Sequence, residues 1–365
     1  MAKASRTHGV NRWAAGRRRL PASFVRDLAI VCALSLLLFV TLTEALSFMS
    51  IRELGERRVV EIPQGASLIE ISSILKAAGV VSDPLKFSFA ARALGVAGKL
   101  QAGAYEFGPE FSELEVLLSL RYGDVAMRNI TVPEGYRASQ VAALVEGRLG
   151  IPRDEFMAEV QNPMLVAQLG LAAPSLEGFL HPDSYRFTLA ATARGVVDRM
   201  LERTWEVYDE SMSGRATDIG LSMLEVFTLA SIIEAEAAVD SERARISAVY
   251  HNRLRKGWKL EADPTVRYAA GKFGDRVYYS DLEIDSPYNT YVHQGLPPGP
   301  ICNPGTASLR AALRPLEGCE DLFFVANGDG THTFSRTYAE HEAARRRIAQ
   351  GRKSGQFALD TAESE

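Results

Sequence analysis

The sequence predicts a mixed α+β protein with an N-terminal apolar helix, a small α/β module and a larger region of helices and short strands that forms a groove. Three observations support this prediction. An uncharged apolar run follows a basic N-terminal segment. Short β-branched runs then alternate with helical patterns in strand–helix–helix–strand order. Beyond Gly257, helix formers thin out, and prolines, glycines and aromatic residues form rigid turns of the kind that shape a groove.

The composition is that of an ordinary globular protein and excludes several classes. The chain has 365 residues, 47% hydrophobic and 24% charged, and at about 100–200 residues per domain it is expected to form two or three folded units. The net charge of −4, without a basic stripe beyond the N-terminus, argues against nucleic acid as a partner. The three cysteines, Cys32, Cys302 and Cys319, match neither a disulfide framework nor a zinc spacing.

The N-terminal segment has the pattern of a membrane anchor. Residues 1–26 contain Lys and Arg but no acidic residue, and an apolar run from Leu28 to Thr43 follows. The run is shorter than the ~20 residues that span a bilayer, but it is long enough if Glu44 lies at the far headgroup layer. A single span over residues 28–49 then leaves the basic flank in the cytoplasm by the positive-inside rule.

Two alternatives to an anchor remain open. Thr43-Glu44-Ala45 is an acceptable small-x-small cleavage site, so the segment can also be a secretory signal peptide. The third interpretation is a buried core helix, in which the preceding positive charges would have no role. The anchor and the signal peptide both place residues 50–365 outside the cytoplasm.

The region after the apolar segment has the elements of a small α/β module. Strands are expected at Val59–Ile62 and Ala104–Phe107, and helices at Ser67–Ala78, Leu85–Leu94 and Glu113–Leu120. The theme recurs in Ile130-Thr-Val-Pro-Glu-Gly135, which predicts a strand and a Pro/Gly turn before a helix from about Ser139. The chain from about Ala138 to Leu221 is mostly helical, and the segment Leu176–Tyr185 interrupts it as an ordered loop.

Residues 222–341 are the most informative. Ser222 and Glu225 form a capping box that opens a helix to about Ala238. A second helix is expected from about Asp240 to Gly257, and a strand–turn–strand unit from Leu322 to Phe334 around Asn327-Gly-Asp-Gly330. Rigid turns are expected at Asp263-Pro264-Thr265, Pro287–Tyr291, Gly295–Pro300 and Asn303-Pro304-Gly305.

Two glutamates of the capped helix, Glu234 and Glu236, are the first candidates for acid–base chemistry. At about 100° per residue they point about 200° apart, so they do not form a facing pair. They flank the buried stripe on either side, and periodicity does not choose between them; both can also be simply solvated. The small and apolar residues before Glu234 would desolvate its carboxyl and raise its pKa, as a general acid requires.

Other chemistries find less support. The chain lacks a Gly-x-Ser-x-Gly elbow, and Ser231 has no adjacent base. The six histidines lack the i,i+4 pairing of a helical metal site. Aromatic and amide residues of the loops are suited to stack on and hydrogen-bond a sugar: Tyr288, Asn289, Tyr291, Asn303 and His332. A bridge between Cys302 and Cys319 is a further hypothesis, because both would face an oxidising compartment.

Six short motifs occur in order along this part of the chain: Leu229-Ala-Ser-Ile-Ile-Glu-Ala-Glu236, Ala262-Asp-Pro-Thr265, Tyr288-Asn-Thr-Tyr291, Gly295-Leu-Pro-Pro-Gly-Pro300, Asn303-Pro-Gly305 and His332-Thr-Phe334. Together with Glu177-Gly-Phe-Leu-His-Pro-Asp183, the ordered set resembles the YceG-like (MltG) endolytic murein transglycosylases, and the resemblance covers about residues 15–350. Each motif is weak alone, but the ordered set is specific.

The resemblance implies a reaction and a catalytic residue. Glu234 matches the family's catalytic glutamate. It would protonate the glycosidic oxygen between N-acetylmuramic acid and N-acetylglucosamine and then take the proton of the muramoyl C6 hydroxyl, which attacks C1. The product is a 1,6-anhydro end, and the cut limits the length of nascent strands. One carboxyl that acts as both acid and base agrees with the helix, in which Glu234 and Glu236 do not face each other. Hydrolytic glycosidases, by contrast, usually need two carboxyl groups that face each other.

The resemblance also implies a layout and partners. Substrate contacts are expected from Glu261, Asp263 and Thr265 besides the five loop residues above. No cofactor or metal is expected; the expected partners are peptidoglycan strands, the bacterial inner membrane through one span with the catalytic domain periplasmic, and cell-wall synthases. The expected order is a cytoplasmic basic tail (1–27), an anchor (28–49), a LysM-like peptidoglycan-binding module (57–130), a helical intermediate region (131–221), a catalytic domain (222–350) and a flexible tail (351–365).

One departure from the family pattern concerns Glu261, where Gln is common. We expect Glu261 to tune Glu234 rather than replace it. His181 stands where the family commonly has an aromatic residue, and a structural role is expected for it. Two other functions remain open: a non-catalytic LysM-type peptidoglycan-binding scaffold, and a muramidase-type hydrolase.

Overall fold

The computed structural model describes residues 22–49, 56–272 and 277–353, and it confirms the mixed α+β class. The chain forms two compact units, which divide between Val125 and Ala126. Most of the predicted basic tail, up to residue 21, and the predicted flexible tail from residue 354 lie outside the described residues.

The first unit begins with the apolar helix α1 (Ala22–Met49). Its stretch Arg26–Thr43 is long and apolar enough to cross a membrane, and 28 residues at about 1.5 Å each exceed the ~30 Å hydrocarbon core. The side chains of this stretch are exposed. The alternative of a buried core helix therefore lacks the packing that it requires.

The rest of the first unit is a two-stranded sheet packed against three helices. Its elements are β1 (Arg58–Ile62), α2 (Leu68–Ala77), α3 (Pro84–Ala93), β2 (Gly103–Phe107) and α4 (Glu113–Tyr122). The strands are antiparallel, with Val60 opposite Tyr105. Capping boxes at Ser67 and Ser112 start α2 and α4. The predicted strand–helix–helix–strand order is confirmed, with bounds that differ by one or two residues.

The second unit contains two further antiparallel strand pairs among helices. Its strands are β3 (Met127–Thr131), β4 (Ser184–Thr188), β5 (Phe323–Ala326) and β6 (His332–Ser335). Its helices are α5 (Ala138–Leu149), α6 (Arg153–Val160), α7 (Pro163–Gln168), α8 (Ala193–Val207), α9 (Glu210–Ile219), α10 (Met223–Glu236), α11 (Arg243–Arg255), α12 (Asp263–Ala269), α13 (Thr306–Leu313) and α14 (Tyr338–Lys353). β3 pairs with β4, and β5 with β6. Because β3 pairs with β4, it belongs to the second unit, beyond the first unit's last residue, Val125.

Helix α10 lies at the centre of the second unit's core. The predicted capping box of Ser222 and Glu225 starts it, and every residue from Val226 to Ile233 is buried. Phe227 stacks on Phe179, with ring centroids 4.7 Å apart. A helix buried on all sides holds its last turn, which carries Glu234 and Glu236, rigidly against neighbouring elements.

Two sequence expectations in the second unit were wrong, and one helix begins differently from the prediction. Asp263-Pro264-Thr265 is the first turn of α12 rather than a rigid loop, because proline is well tolerated where a helix lacks N–H partners. The segment after Asp240 begins with a 3₁₀ turn (Asp240–Glu242) before α11. Cys302 and Cys319 are free thiols: the Cys302 Sγ points to the Ser231 carbonyl oxygen at 3.3 Å, so the hypothesised bridge is absent.

Candidate active site

Glu234 lies in the last turn of α10 with both carboxylate oxygens hydrogen-bonded. The Arg243 Nη1 donates to Oε1 at 3.2 Å, and the Gly305 N–H donates to Oε2 at 2.9 Å. The side chain is only 7% exposed. The carboxylate is therefore enclosed, but polar groups surround it. The residues before Glu234 in the sequence had instead predicted an apolar pocket.

Arg243 connects three elements around this carboxylate. It is the first residue of α11, and its side chain is 10% exposed. Besides Glu234, it donates to the Ser308 Oγ on α13 at 2.6 Å and to Asp240 Oδ1 at 3.0 Å. The guanidinium compensates the charge of Glu234 in a nearly buried place, where an unpaired carboxylate is costly.

His332 supports the turn that presents Arg243. Its Nδ1 lies 2.8 Å from Glu242 Oε2, and its backbone N–H donates to Glu242 Oε1. Its side chain is 7% exposed and packs edge-on against Phe324. Since Glu242 immediately precedes Arg243, this sequence-predicted groove residue reaches the site through the 3₁₀ turn.

Two loops meet beside Glu234 and are tied by their backbones. The Gly135 N–H donates to the Asn303 carbonyl oxygen, and the Asn303 N–H to that of Tyr136, each at 2.9 Å. The Asn303 side chain is fully buried and bonds the Leu180 N–H and the Tyr136 carbonyl. Asn303, predicted to contact substrate, therefore holds the loop at 134–136 against the loop that ends in Gly305.

This pairing brings a second carboxyl, that of Glu134, to the site. A Cβ on Gly305 would overlap the Glu134 carboxyl, and a Cβ on Gly135 would lie 3.7 Å from the Glu234 Cγ. Burial, and then the charge of Glu234, raises the pKa of Glu134 despite the opposing effect of Arg243. Sequence reasoning noted only the Pro133-Glu134-Gly135 turn and missed its carboxyl; the available signal was an acidic residue within that turn.

Glu236 belongs to a separate acidic cluster. The Tyr250 hydroxyl donates to its Oε1 at 3.1 Å, and burial, reinforced by Asp263, raises its pKa to about 7. The Tyr291 hydroxyl donates to Asp263 Oδ1 at 2.7 Å. This grouping agrees with the prediction that Glu234 and Glu236 do not face each other, and it brings Asp263 and Tyr291 together.

Two more predicted groove residues are buried inside the loops. Thr265 donates to the Ala262 carbonyl oxygen and lies 2.9 Å from the Thr290 hydroxyl. The Asn289 amide donates to the carbonyl oxygens of Leu282 and Ile284. Both side chains are fully buried, so their described contacts shape the loops rather than leave polar atoms open.

Glu261 and Tyr288 are the remaining predicted residues. Glu261 is 48% exposed and accepts from Arg253 Nη1 at 2.9 Å. Its φ of 50° is in the left-handed region, unusual for a residue other than glycine. Tyr288 is partly buried, with its ring 4.8 Å from that of Tyr268. No described contact joins Glu261 to Glu234. In the described part of the chain, no cluster of His, Cys, Asp or Glu is arranged to hold a metal ion.

The fold and the site thus define an α+β protein in which two carboxyls, of Glu134 and Glu234, lie beside the nearly buried Arg243. Carboxyl groups in such a site are suited to acid–base chemistry. The chain belongs to the YceG-like family, whose sequence profile matches residues 60–347. It is 35% identical over 302 residues to an endolytic murein transglycosylase of Bacillus subtilis, covering 78% of this chain and 83% of that protein.

Two further relatives extend the comparison. An endolytic murein transglycosylase of Streptococcus pneumoniae is 28% identical over 318 residues, which is 78% of this chain and 57% of the longer relative. The crystal structure of a YceG-like protein from Listeria monocytogenes superimposes with a TM-score of 0.56 at 34% identity, covering 79% of this chain and 99% of that one.

Proposed function

We propose that this chain is an endolytic murein transglycosylase, as its Bacillus and Streptococcus relatives are named. It would cut the bond between N-acetylmuramic acid and N-acetylglucosamine within peptidoglycan strands and leave 1,6-anhydro ends, which limits the length of nascent strands. The observation that carries the proposal is the enclosed Glu234 carboxylate, which Arg243 and the Gly305 N–H hold in one orientation.

Glu234 is the proposed catalytic residue of this reaction. A carboxylate fixed by two donors is placed to take the proton of the C6 hydroxyl as that oxygen attacks C1. Because the nucleophile is part of the substrate, no water has to be activated between two well-separated carboxyls, as an inverting hydrolase requires. As the family resemblance implies, the same Glu234 carboxyl would also have donated a proton to the leaving glycosidic oxygen.

The predicted substrate-binding residues divide into two groups in this proposal. Glu261, Asp263, Tyr288 and Tyr291 are exposed or partly exposed and would contact the strand. Thr265, Asn289 and Asn303 would act by shaping the loops that line the groove, because their side chains are fully buried. His332 would act through Glu242 and Arg243.

The layout proposed for the protein follows the family resemblance. Residues 28–49 would form a single-pass anchor in the bacterial inner membrane with the N-terminus in the cytoplasm, supported by the exposed apolar face of α1. Residues 57–130 would form a LysM-like module that holds glycan, followed by an intermediate region (131–221) and a periplasmic catalytic domain (222–350). Cell-wall synthases are the proposed protein partners, because nascent strands are their product.

Digestion of purified peptidoglycan by the membrane-extracted full chain tests the proposed reaction. Mass spectrometry is expected to detect anhydro-muropeptide ends with the wild-type protein. Glu234→Gln should reduce their rate of release by about 10³-fold, within the range for removal of an acid–base group. Glu155→Gln, at an exposed glutamate of α6, is the matched control and should retain full activity.

Three results would contradict parts of the proposal. Hydrated reducing ends would identify a muramidase-type hydrolase. Binding of peptidoglycan without release of fragments would identify a scaffold. Full activity of the Glu234→Gln protein would leave the reaction in place and reject the site.

A further inference from the structure

Three aromatic side chains from different elements of the second unit meet around Phe323. The ring of Trp258, which follows α11, and the ring of Tyr338, which begins α14, each have their centroid 6.0 Å from that of Phe323 on β5. Phe323 is partly buried, whereas Trp258 is 41% and Tyr338 63% exposed. We call these three rings the aromatic platform. Exposed apolar groups that lie together on a folded protein mark a surface that binds a partner.

Contacts with neighbouring elements hold the platform in place. The His341 ring on α14 stacks on Phe323, with the ring centroids 5.3 Å apart. The Arg253 guanidinium lies over the Phe323 ring at 5.2 Å from its centroid, a favourable cation–π distance. Because these neighbours occupy Phe323, the rings that a ligand reaches are those of Trp258 and Tyr338.

Arg253 also connects the platform to the proposed groove. Its side chain is 9% exposed, and its Nε donates to the carbonyl oxygen of Leu322, the residue before Phe323, at 2.7 Å. Its Nη1 donates to Glu261 Oε2 at 2.9 Å. The Glu261 N–H in turn donates to the Thr290 carbonyl oxygen at 3.2 Å. The platform therefore adjoins Glu261, which is one of the residues proposed to contact the glycan strand.

The surroundings of Trp258 favour a saccharide with acidic groups as the ligand. Lys256 and Lys259 on either side of it are exposed, and Lys259 Nζ donates to the Tyr291 carbonyl oxygen at 2.9 Å. Sugar rings present apolar C–H faces that pack against flat aromatic rings, and polar groups around such rings fix a ligand's orientation. A peptidoglycan strand carries both sugar faces and the carboxylates of its lactyl and peptide groups, so it matches the rings and the positive charge together.

We propose that Trp258 and Tyr338 form a distal subsite, which binds sugars of the same glycan strand that the active site cuts. The inference rests on the proposed transglycosylase activity and adds a binding site to it. These rings contact sugars away from the bond that breaks, so their contacts are the same in the substrate and in the transition state. Such contacts lower KM for long strands and leave kcat unchanged. They favour internal cuts, because a bond at the strand end leaves one of the two sites without sugar.

Steady-state kinetics of the full-length protein on glycans of two lengths tests the proposal. The first glycan is a long, uncrosslinked natural strand, and the second is the shortest oligosaccharide that the wild-type protein cleaves. Trp258→Ala and Tyr338→Ala should each raise KM for the long strand about tenfold, as expected for loss of an aromatic anchor, with kcat unchanged. Both variants should match wild type on the short oligosaccharide. Trp258→Tyr keeps an aromatic ring and should retain most of the affinity.

Two controls show that the variants are folded and that the effect is specific. Met164→Ala removes an apolar side chain of α7 that is 73% exposed and lies outside the proposed groove, so it should match wild type on both glycans. Thermal unfolding of each variant should coincide with that of the wild-type protein. An unchanged KM of Trp258→Ala and Tyr338→Ala for long strands, or an equal rise in KM for both lengths, overturns the distal subsite.

Fluorescence gives a measurement that does not depend on turnover. In the Glu234→Gln protein, added long strands should protect Trp258 from quenching by acrylamide, and the protection should be absent after Trp258→Tyr. Binding of long strands without such protection also overturns the proposal. Absence of anhydro ends with the wild-type protein rejects the proposed function instead, and protection of Trp258 would then still show that the platform binds glycan.

Discussion

Replacement of Arg243 by Met tests whether the enclosed charge pair holds the site together. Met fills a similar volume without charge, so the change leaves Glu234 with the Gly305 N–H alone and the buried Ser308 hydroxyl without its donor. Loss of one partner of a buried ion pair costs about 3–5 kcal/mol, and this pair is at most 10% exposed on either side. The bond to Asp240 adds little, because that side chain is 86% exposed. We therefore expect the free energy of unfolding to fall by about 3–5 kcal/mol.

Urea unfolding followed by tryptophan fluorescence measures this change. Trp205 and Trp258 both lie in the second unit, so a Trp13→Phe background makes the signal report on that unit alone. A double-mutant cycle adds the second test: in a Glu234→Gln background, Arg243→Met should cost at least about 2 kcal/mol less, because no unpaired carboxylate is left behind. A cost below about 1 kcal/mol for Arg243→Met alone, or equal costs in both backgrounds, would refute the reasoning.

Four further substitutions give three independent predictions. The Glu236 carboxyl keeps its proton up to about pH 7 in the folded chain, against a usual pKa of 4.5; the unfolded chain therefore binds fewer protons between these values, and stability should fall as pH rises through this window. Glu236→Gln should abolish that fall, with a gain of about 3 kcal/mol at pH 8 and little at pH 4, measured by urea unfolding at each pH; a variant with the wild-type pH slope would contradict it. Gly178→Ala should lower the melting temperature, because Gly178 has a φ of 88° and a Cβ would overlap the Pro300 ring. Gly147→Ala, in open space on α5, should raise stability by up to about 1 kcal/mol; equal effects of the two alanines would reject the steric argument. Glu261→Gln should retain most activity on natural strands, since Glu261 pairs with Arg253 rather than with Glu234, and complete loss would indicate that this carboxylate takes part in the reaction.

Local patterns determined much of the fold. The capping box of Ser222 and Glu225 predicted where α10 starts, because both partners of a capping box lie within one helical turn. The order of the first unit's strands and helices followed in the same way from periods of two and 3.6 residues. The same local view failed at α12, where Pro264 suggested a turn although proline is compatible with the first turn of a helix.

The residues proposed to contact substrate mark the limit of local reasoning. Asn289, Asn303 and Thr265 have the amide and hydroxyl groups that bind sugars, and their identity alone therefore suggested a groove. The fold instead buries all three. Backbone carbonyl oxygens accept from each of them, the Leu180 N–H donates to Asn303, and Thr265 also contacts the Thr290 hydroxyl. A polar side chain can either bind a ligand or satisfy buried backbone groups, and only its packing in the fold decides which of the two it does.

Sequence alone thus determined that Glu234 stands in the last turn of a capped, apolar helix, and its motif marked it as the catalytic candidate. Only the tertiary structure decided what surrounds it. Arg243 comes from the next helix, and Glu134 and Gly305 come from loops that the backbone bonds of Asn303 hold together. Contacts between distant segments depend on how buried elements pack against each other. The hydrophobic periodicity and the capping residues of a single segment do not predict that packing.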